Sequence, residues 1–135
     1  MKYNVTTLFH QGSGKQNEDQ LLVNDPIFAV FDGATSLTPY TNEKGESGGY
    51  LASLLAKETC STWNGTLKNG FIEANNRIDQ AMRDAGIDTS DSVNRWSTSA
   101  VAVQIRENEV EWAQIGDSLL IVCYQDGSHR LFVEG

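Results

Sequence analysis

Long apolar segments are missing from this sequence of 135 residues. Its apolar runs, such as Leu119–Cys123, are far shorter than the roughly 20 residues that a membrane-spanning helix needs. Residues 1–15, MKYNVTTLFHQGSGK, also lack the apolar core of a secretory signal peptide. We therefore expect a cytoplasmic protein that has no membrane partner.

Cysteine and basic residues are scarce as well. Cys60 and Cys123 are the only cysteines. They lack Cys-x-x-Cys spacing and stand in apolar patterns, which predicts two buried, reduced thiols. Ten Lys and Arg residues oppose 18 Asp and Glu residues, which gives a net charge of −8. Because such a chain repels nucleic acid, we expect no nucleic-acid partner, whereas excess carboxylate suits solubility or divalent cations.

The helical and the β-type patterns are clustered along the chain. Apolar residues of helical period occupy about 50–59 and 71–85. The candidate strands are an edge strand at 2–9 and the segments QLLVN, IFAVF, STSAVAVQI, EVEWAQIG, SLLIVCYQ and HRLFV. Clustering favours one α+β domain over residues 1–135 with antiparallel strands. Because IFAVF is apolar throughout, we expect cover on both of its faces, as in a sandwich of two sheets with outer helices.

Acidic residues stand beside three of these strands. Glu18 and Asp19 precede QLLV, Asp32-Gly33 follows IFAVF, and Asp117 lies in Gly-Asp-Ser between two later strands. Each group alone is typical of a turn or a cap. Together they favour a site for Mg²⁺ or Mn²⁺, because carboxylate and carbonyl oxygens are the ligands that these ions prefer.

Five segments in order, QNEDQLLV, FAVFDGATSL, SGGYLASLLA, WSTSAVAVQI and WAQIGDSLLIV, resemble the metal-dependent, type 2C (PPM-type) serine/threonine protein phosphatases. The resemblance runs from about residue 12 to residue 128. It implies an antiparallel β-sandwich with helices on the outer faces (αββα). It also implies hydrolysis of phosphoserine or phosphothreonine on proteins, by a water whose pKa two Mg²⁺ or Mn²⁺ ions lower.

The resemblance implies a role for each acidic position. Asp32 would be the catalytic carboxylate that bridges both ions, and Gly33 would offer its carbonyl to one of them. Glu18 and Asp19 would hold the same ion directly or through water, and which of the two is the direct ligand stays open. Asp117 would help to bind an additional, weaker ion, with the shaping of a hairpin as its alternative role.

Three positions depart from the family's pattern. Gly14 stands where many members have a phosphate-binding arginine, which leaves Lys15 to bind phosphate as a point charge. Ala34 replaces the histidine of eukaryotic members, so water would protonate the leaving group. The family's Gly-Gly is displaced to Gly48-Gly49 by a longer loop, which we expect to shape substrate access.

The largest departure is length, because the family domain is longer and has two further metal-binding aspartates in its second half. We therefore expect residues 1–135 to be the N-terminal portion of such a domain, incomplete at the C-terminus and inactive alone. An incomplete sheet edge would expose apolar surface and allow self-association. The expected partner is a phosphorylated protein substrate. Two alternatives stay open: a catalytically inactive regulatory or binding module, and an acidic interaction domain whose motifs are turns.

Overall fold

Helices and antiparallel strands make up the computed structural model, which describes residues 3–132. The elements are β1 (Asp19–Asn24), β2 (Ile27–Ala34), α1 (Gly48–Ser61), α2 (Leu67–Asp84), a 3₁₀ helix (Ser92–Asn94), β3 (Ser97–Ile105), β4 (Val110–Ile115), β5 (Leu120–Cys123) and β6 (His129–Phe132). One antiparallel sheet has the order β1-β2-β3-β4, and β5 pairs with β6 separately. The expected α+β class is confirmed. Within residues 3–132, neither helix has the length and apolarity to cross a bilayer.

Both helices pack on one face of the four-stranded sheet. Successive strand residues point to opposite faces, and in β2 the side chains of Ala29 and Phe31 point toward the helices and are buried. Small side chains on β3, Ala100 and Ala102, face the same cluster. They allow α1 to pack close to the sheet through residues such as Ala56.

The opposite face of this sheet is apolar and partly open. Val23 is 43% exposed and Val30 is 41% exposed. A cavity of about 270 Å³ lies over this face, with Val5 and Leu119 among its lining residues. The cover expected for both faces of IFAVF is therefore complete on one face only. The other face is the exposed apolar surface that the sequence led us to expect.

The N-terminal segment differs from its sequence-based prediction. The weak alternation of residues 2–9 predicted an edge strand, but residues 3–9 form no strand and are largely exposed; residue 2 lies outside the described residues. Alternation alone does not make a strand, because the backbone needs a neighbour with which to form hydrogen bonds. Among the described residues, β1 pairs only with β2.

Helix α2 begins one turn earlier than its apolar stripe predicted. Thr66 is its N-cap, and the Thr66 side chain accepts a hydrogen bond from the backbone N–H of Asn69. Gly70 lies inside the helix, although glycine disfavours helix interiors. The ring of Trp63 packs against this glycine, and a Cβ at Gly70 would lie 3.0 Å from Cδ1 of Trp63.

The two cysteines have different surroundings, and the prediction of two buried thiols is wrong for Cys123, which is exposed on β5. Cys60 is 1% exposed, and burial raises the pKa of its thiol to about 11.

Because the thiolate is the reactive form, we expect iodoacetamide at pH 8 to modify Cys123 and spare Cys60 in the folded chain, as read by peptide mass spectrometry. Denaturant should expose both, and equal labelling without it would contradict this assignment.

Candidate metal centre

Strand pairing brings two of the predicted ligands together. Asp19 on β1 lies directly opposite Asp32 on β2, and Ser99 on β3 lies on the other side of Asp32. Cross-strand partners project from the same face of a sheet, so both carboxylates lie on the face away from the helices. The strand register therefore places the two carboxylates side by side, and their role as metal ligands stays a prediction.

The charge around Asp32 is uncompensated by protein groups in the described part of the chain. Loss of hydration raises the pKa of Asp32, and Asp19 raises it further through a hydrogen bond and through its charge, with a smaller effect from the charge of Asp117. The ion pairs among residues 3–132 include none of these three acids. A divalent cation would supply the missing positive charge.

The oxygen donors present fit one side of the ligand shell of such an ion. Asp19 and Asp32 offer carboxylates, and Gly33 offers a backbone carbonyl, all of which are hard ligands suited to Mg²⁺ or Mn²⁺. Within residues 3–132, no group of three or more His, Cys, Asp or Glu side chains lies close enough to hold an ion. We therefore expect these residues to contribute part of a metal site.

The Gly-Asp-Ser segment connects the four-stranded sheet to the separate β5–β6 pair and does not close a hairpin. β4 pairs with β3, whereas β5 pairs with β6, so the alternative role of Asp117 in shaping a hairpin is wrong. Gly116 adopts a φ of 76°, and a Cβ there would lie 2.6 Å from Cβ of Ser99. The hydroxyls of Ser99 and Ser118 are 2.7 Å apart. The charge of Asp117, which follows Gly116 in this segment, acts on the carboxylate of Asp32.

The Glu18 carboxylate is directed away from the aspartate pair, and within residues 3–132 Lys15 forms no ion pair with it. Glu18 precedes Asp19 on the chain and lies on the helix side of the sheet, where its Oε1 accepts a hydrogen bond from Oγ of Ser47 at 2.6 Å. Lys15 is exposed in the loop before β1. Among the described residues, no ion pair joins Lys15 to Asp19 or Asp32. A role for Glu18 or Lys15 at the ion or the phosphate stays a prediction.

Glycines allow α1 to begin directly against the end of β2. A Cβ on Gly33 would lie 2.3 Å from the carbonyl oxygen of Gly49, and a Cβ on Gly49 would lie 2.7 Å from that of Ala34. These distances are shorter than real Cβ contacts, so both positions need glycine. Although the loop before Gly48-Gly49 is longer than the family's pattern, these glycines therefore still lie beside Asp32-Gly33.

Ser53 is a positioning residue that sequence reasoning missed. It is fully buried in α1, and its Oγ donates a hydrogen bond to the carbonyl oxygen of Glu18 at 2.5 Å. This bond ties α1 to the start of β1, directly before Asp19. The available signal was a hydroxyl on the buried side of a predicted helix, where a polar group needs a partner.

Asp32→Asn should stabilise the metal-free chain. Like charges on directly opposed cross-strand positions are destabilising, and the amide removes one of them. We expect the free energy of unfolding in EDTA to rise by about 0.2–1 kcal/mol, a modest change because water screens the exposed Asp32 side chain. Urea denaturation measures this change in the free energy of unfolding, with Asp126→Asn as the control. Added Mn²⁺ should stabilise only the chain that retains Asp32. A loss of stability in EDTA would contradict the charge argument.

Sequence comparison assigns the chain to a family. The profile of the family described as protein phosphatase 2C matches residues 8–134. The chain belongs to the protein phosphatase 2C family. No curated protein matches its sequence.

Solved structures of phosphatases share the fold of this protein phosphatase 2C chain. The catalytic domain of the serine/threonine phosphatase PstP, in complex with two manganese ions, is 18% identical with a TM-score of 0.66, over 89% of this chain and 50% of that one. PstP/Ppp of Mycobacterium tuberculosis is 18% identical with a TM-score of 0.67, over 90% and 49%. MsPP of Mycobacterium smegmatis, in complex with cacodylate, is 20% identical with a TM-score of 0.55, over 89% and 47%.

The protein phosphatase 2C chain thus spans about half the length of the structures that it matches. At these identities the likeness shows the fold.

Proposed function

We propose that the protein containing this chain hydrolyses phosphoserine or phosphothreonine on proteins and depends on Mg²⁺ or Mn²⁺. The observation that carries the proposal is the pair of opposed carboxylates, Asp19 and Asp32, in a member of the protein phosphatase 2C family. The raised pKa of Asp32 and the absence of an ion pair to it within residues 3–132 support a cation at this place. PstP, with its two manganese ions, has the same fold.

Such ions, when bound, lower the pKa of water into the neutral range and so supply the nucleophile. Asp32, Asp19 and the carbonyl of Gly33 would bind and orient them at the end of β1 and β2. Asp117 would help to hold a further ion near Asp32, because its charge already acts on that carboxylate. Lys15 would attract the phosphate of the substrate as a point charge.

The proposal is tested on the complete gene product that contains this chain. Hydrolysis of p-nitrophenyl phosphate and of a phosphothreonine peptide should require added Mn²⁺ or Mg²⁺ and stop with EDTA. Recovery after the metal is restored would exclude irreversible damage by the chelator. Turnover that persists in EDTA, or a folded protein with no turnover in Mn²⁺, would contradict the proposal.

The 135-residue chain alone should show no metal-dependent turnover above the buffer blank. Its described residues provide no group of three or more side-chain ligands, and an incomplete shell holds an ion too weakly to activate water. The same colorimetric assay measures this at millimolar Mn²⁺, with circular dichroism to confirm folding. Robust turnover by the short chain would show that its own residues suffice.

A phosphatase-like regulatory or binding module is the second candidate. The incomplete ligand group within residues 3–132 favours it, as does Gly14 at the position of the family's arginine. Such a module would bind a phosphopeptide or a partner protein without hydrolysing it. The assay on the complete gene product separates the two candidates.

We propose phosphorylated proteins of the cytoplasm as substrates. We expect neither nucleic acid nor membrane as a partner, because the net charge of the chain is −8.

Self-association through the exposed sheet is also proposed, supported by the exposure of Val23 and Val30. Light scattering of the purified chain over a range of concentrations would reveal it. A constant monomer mass would contradict self-association.

A further inference from the structure

The carboxylate of Glu18 joins the two ends of the loop between β2 and α1, which follows the candidate metal centre. Oε2 of Glu18 accepts a hydrogen bond from Oγ1 of Thr35 at 3.1 Å, at the start of this loop. Oε1 of Glu18 accepts one from Oγ of Ser47 at 2.6 Å, at its end. Hydrogen bonds to an ionised acceptor are stronger than those between neutral groups, so Glu18 holds the two ends of the loop together.

The same carboxylate extends the N-terminal cap of α1. Ser47 is the N-cap, and its Oγ accepts a hydrogen bond from the backbone N–H of Tyr50 at 3.2 Å. No acidic residue lies in the first turn of α1, although negative charge stabilises a helix N-terminus. Glu18, the residue directly before β1, supplies that charge through the hydroxyl of Ser47.

The backbone of Glu18 anchors the strand end that carries Asp32. The N–H of Gly33 donates a hydrogen bond to the carbonyl oxygen of Glu18 at 3.2 Å, and Oγ of Ser53 donates to the same oxygen. Asp19, the next residue, carries the carboxylate opposite Asp32. The relative position of Asp19 and Asp32 therefore depends on Glu18, which contacts the loop, helix α1 and the sheet.

We propose that Glu18 is a positioning residue: it binds both ends of the loop and the N-terminus of α1, holds Asp19 and Asp32 in register, and is not itself a metal ligand. Both oxygens of its carboxylate are occupied by hydroxyl donors, on the side of the sheet away from the aspartate pair. We call the two hydrogen bonds that the Glu18 carboxylate accepts from Thr35 and Ser47 the clamp. Only the identity of the ion rests on the proposed function, because the clamp exists without an ion.

A double-mutant cycle in EDTA tests the clamp by itself. Glu18→Ala and Ser47→Ala should each lower the melting temperature by about 3–6 °C, since each removes a partner of the cap. The double variant should lose clearly less than the sum of the two, because both changes break the same interaction. Ser61→Ala, which removes a hydroxyl bonded to the Glu58 carbonyl at the other end of α1, should add independently to Glu18→Ala. Strict additivity of Glu18→Ala with Ser47→Ala would overturn the clamp.

Metal affinity separates positioning from ligation. In Mn²⁺ titrations of the complete gene product followed by electron paramagnetic resonance, Glu18→Ala should weaken binding by about tenfold. Glu18→Gln keeps an oxygen acceptor for one hydroxyl and should restore binding to within about threefold of the original, whereas Asp19→Asn should not. A loss in Glu18→Gln as large as in Asp19→Asn would overturn the proposal by making Glu18 a ligand. If even the complete gene product fails to bind Mn²⁺, the proposed function fails and the cycle in EDTA still decides on the clamp.

Discussion

Asp32→Asn should lower metal-dependent hydrolysis by the complete gene product by roughly a thousandfold or more, because little then generates a nucleophile near neutral pH. The amide has almost the volume of the carboxylate and the residue lies exposed at the end of β2, so the fold should persist. The loss should appear in kcat, since the carboxylate acts in generating the nucleophile more than in binding the phosphate. Initial rates on p-nitrophenyl phosphate over a series of Mn²⁺ concentrations measure it.

The chain offers a matched control for this substitution. Asp126 is also followed by glycine, but it lies in the turn between β5 and β6, where it accepts hydrogen bonds from the backbone and hydroxyl of Ser128. Asp126→Asn should therefore leave kcat unchanged. Full activity in Asp32→Asn would remove the metal mechanism, and Asp32-Gly33 would then be an ordinary strand end.

Local patterns were sufficient to predict most of the secondary structure. The segment STSAVAVQI forms β3 with the predicted bounds, Ser97–Ile105, because alternation and β-branched residues are properties of the segment itself. Helix α1 likewise covers the segment predicted by its apolar face. The start of α2 was missed because the ring of Trp63, which packs on Gly70, comes from outside the helix and leaves no periodic signal.

The choice between Glu18 and Asp19 could not be made from the sequence. Neighbouring strand residues point to opposite faces, so one of the two had to face Asp32 and the other had to face away. Which one does so depends on the register of β1 against β2, in which Asp19 pairs with Asp32. A shift of one residue would exchange their faces. The hydroxyl partners of Glu18 come from Thr35 and Ser47, which are distant in sequence and carry no pairing signal.

Gly33→Ala should destabilise the chain by about 3 kcal/mol, at the upper end of the range for overpacked sites. The added Cβ would lie 2.3 Å from the carbonyl oxygen of Gly49 and 2.6 Å from that of Glu18. Both contacts are backbone atoms, which cannot rotate away as the end of a side chain can, so α1 and β1 must both shift. That shift would also move Asp19 relative to Asp32, and Mn²⁺ binding should weaken together with stability.

Thermal unfolding in EDTA measures the first effect of Gly33→Ala, with an expected fall in melting temperature of about 10 °C. Gly14→Ala is the control, because a Cβ there would meet only the carbonyl oxygen of Gln16 at 3.5 Å, an ordinary contact. That variant should melt within about 2 °C of the original chain, since glycine-to-alanine changes without strain have small effects. Equal melting temperatures for Gly33→Ala and Gly14→Ala would show that α1 can move away from β2 at little cost. In that case the close approach of Gly33 and Gly49 would not hold the candidate metal centre in place.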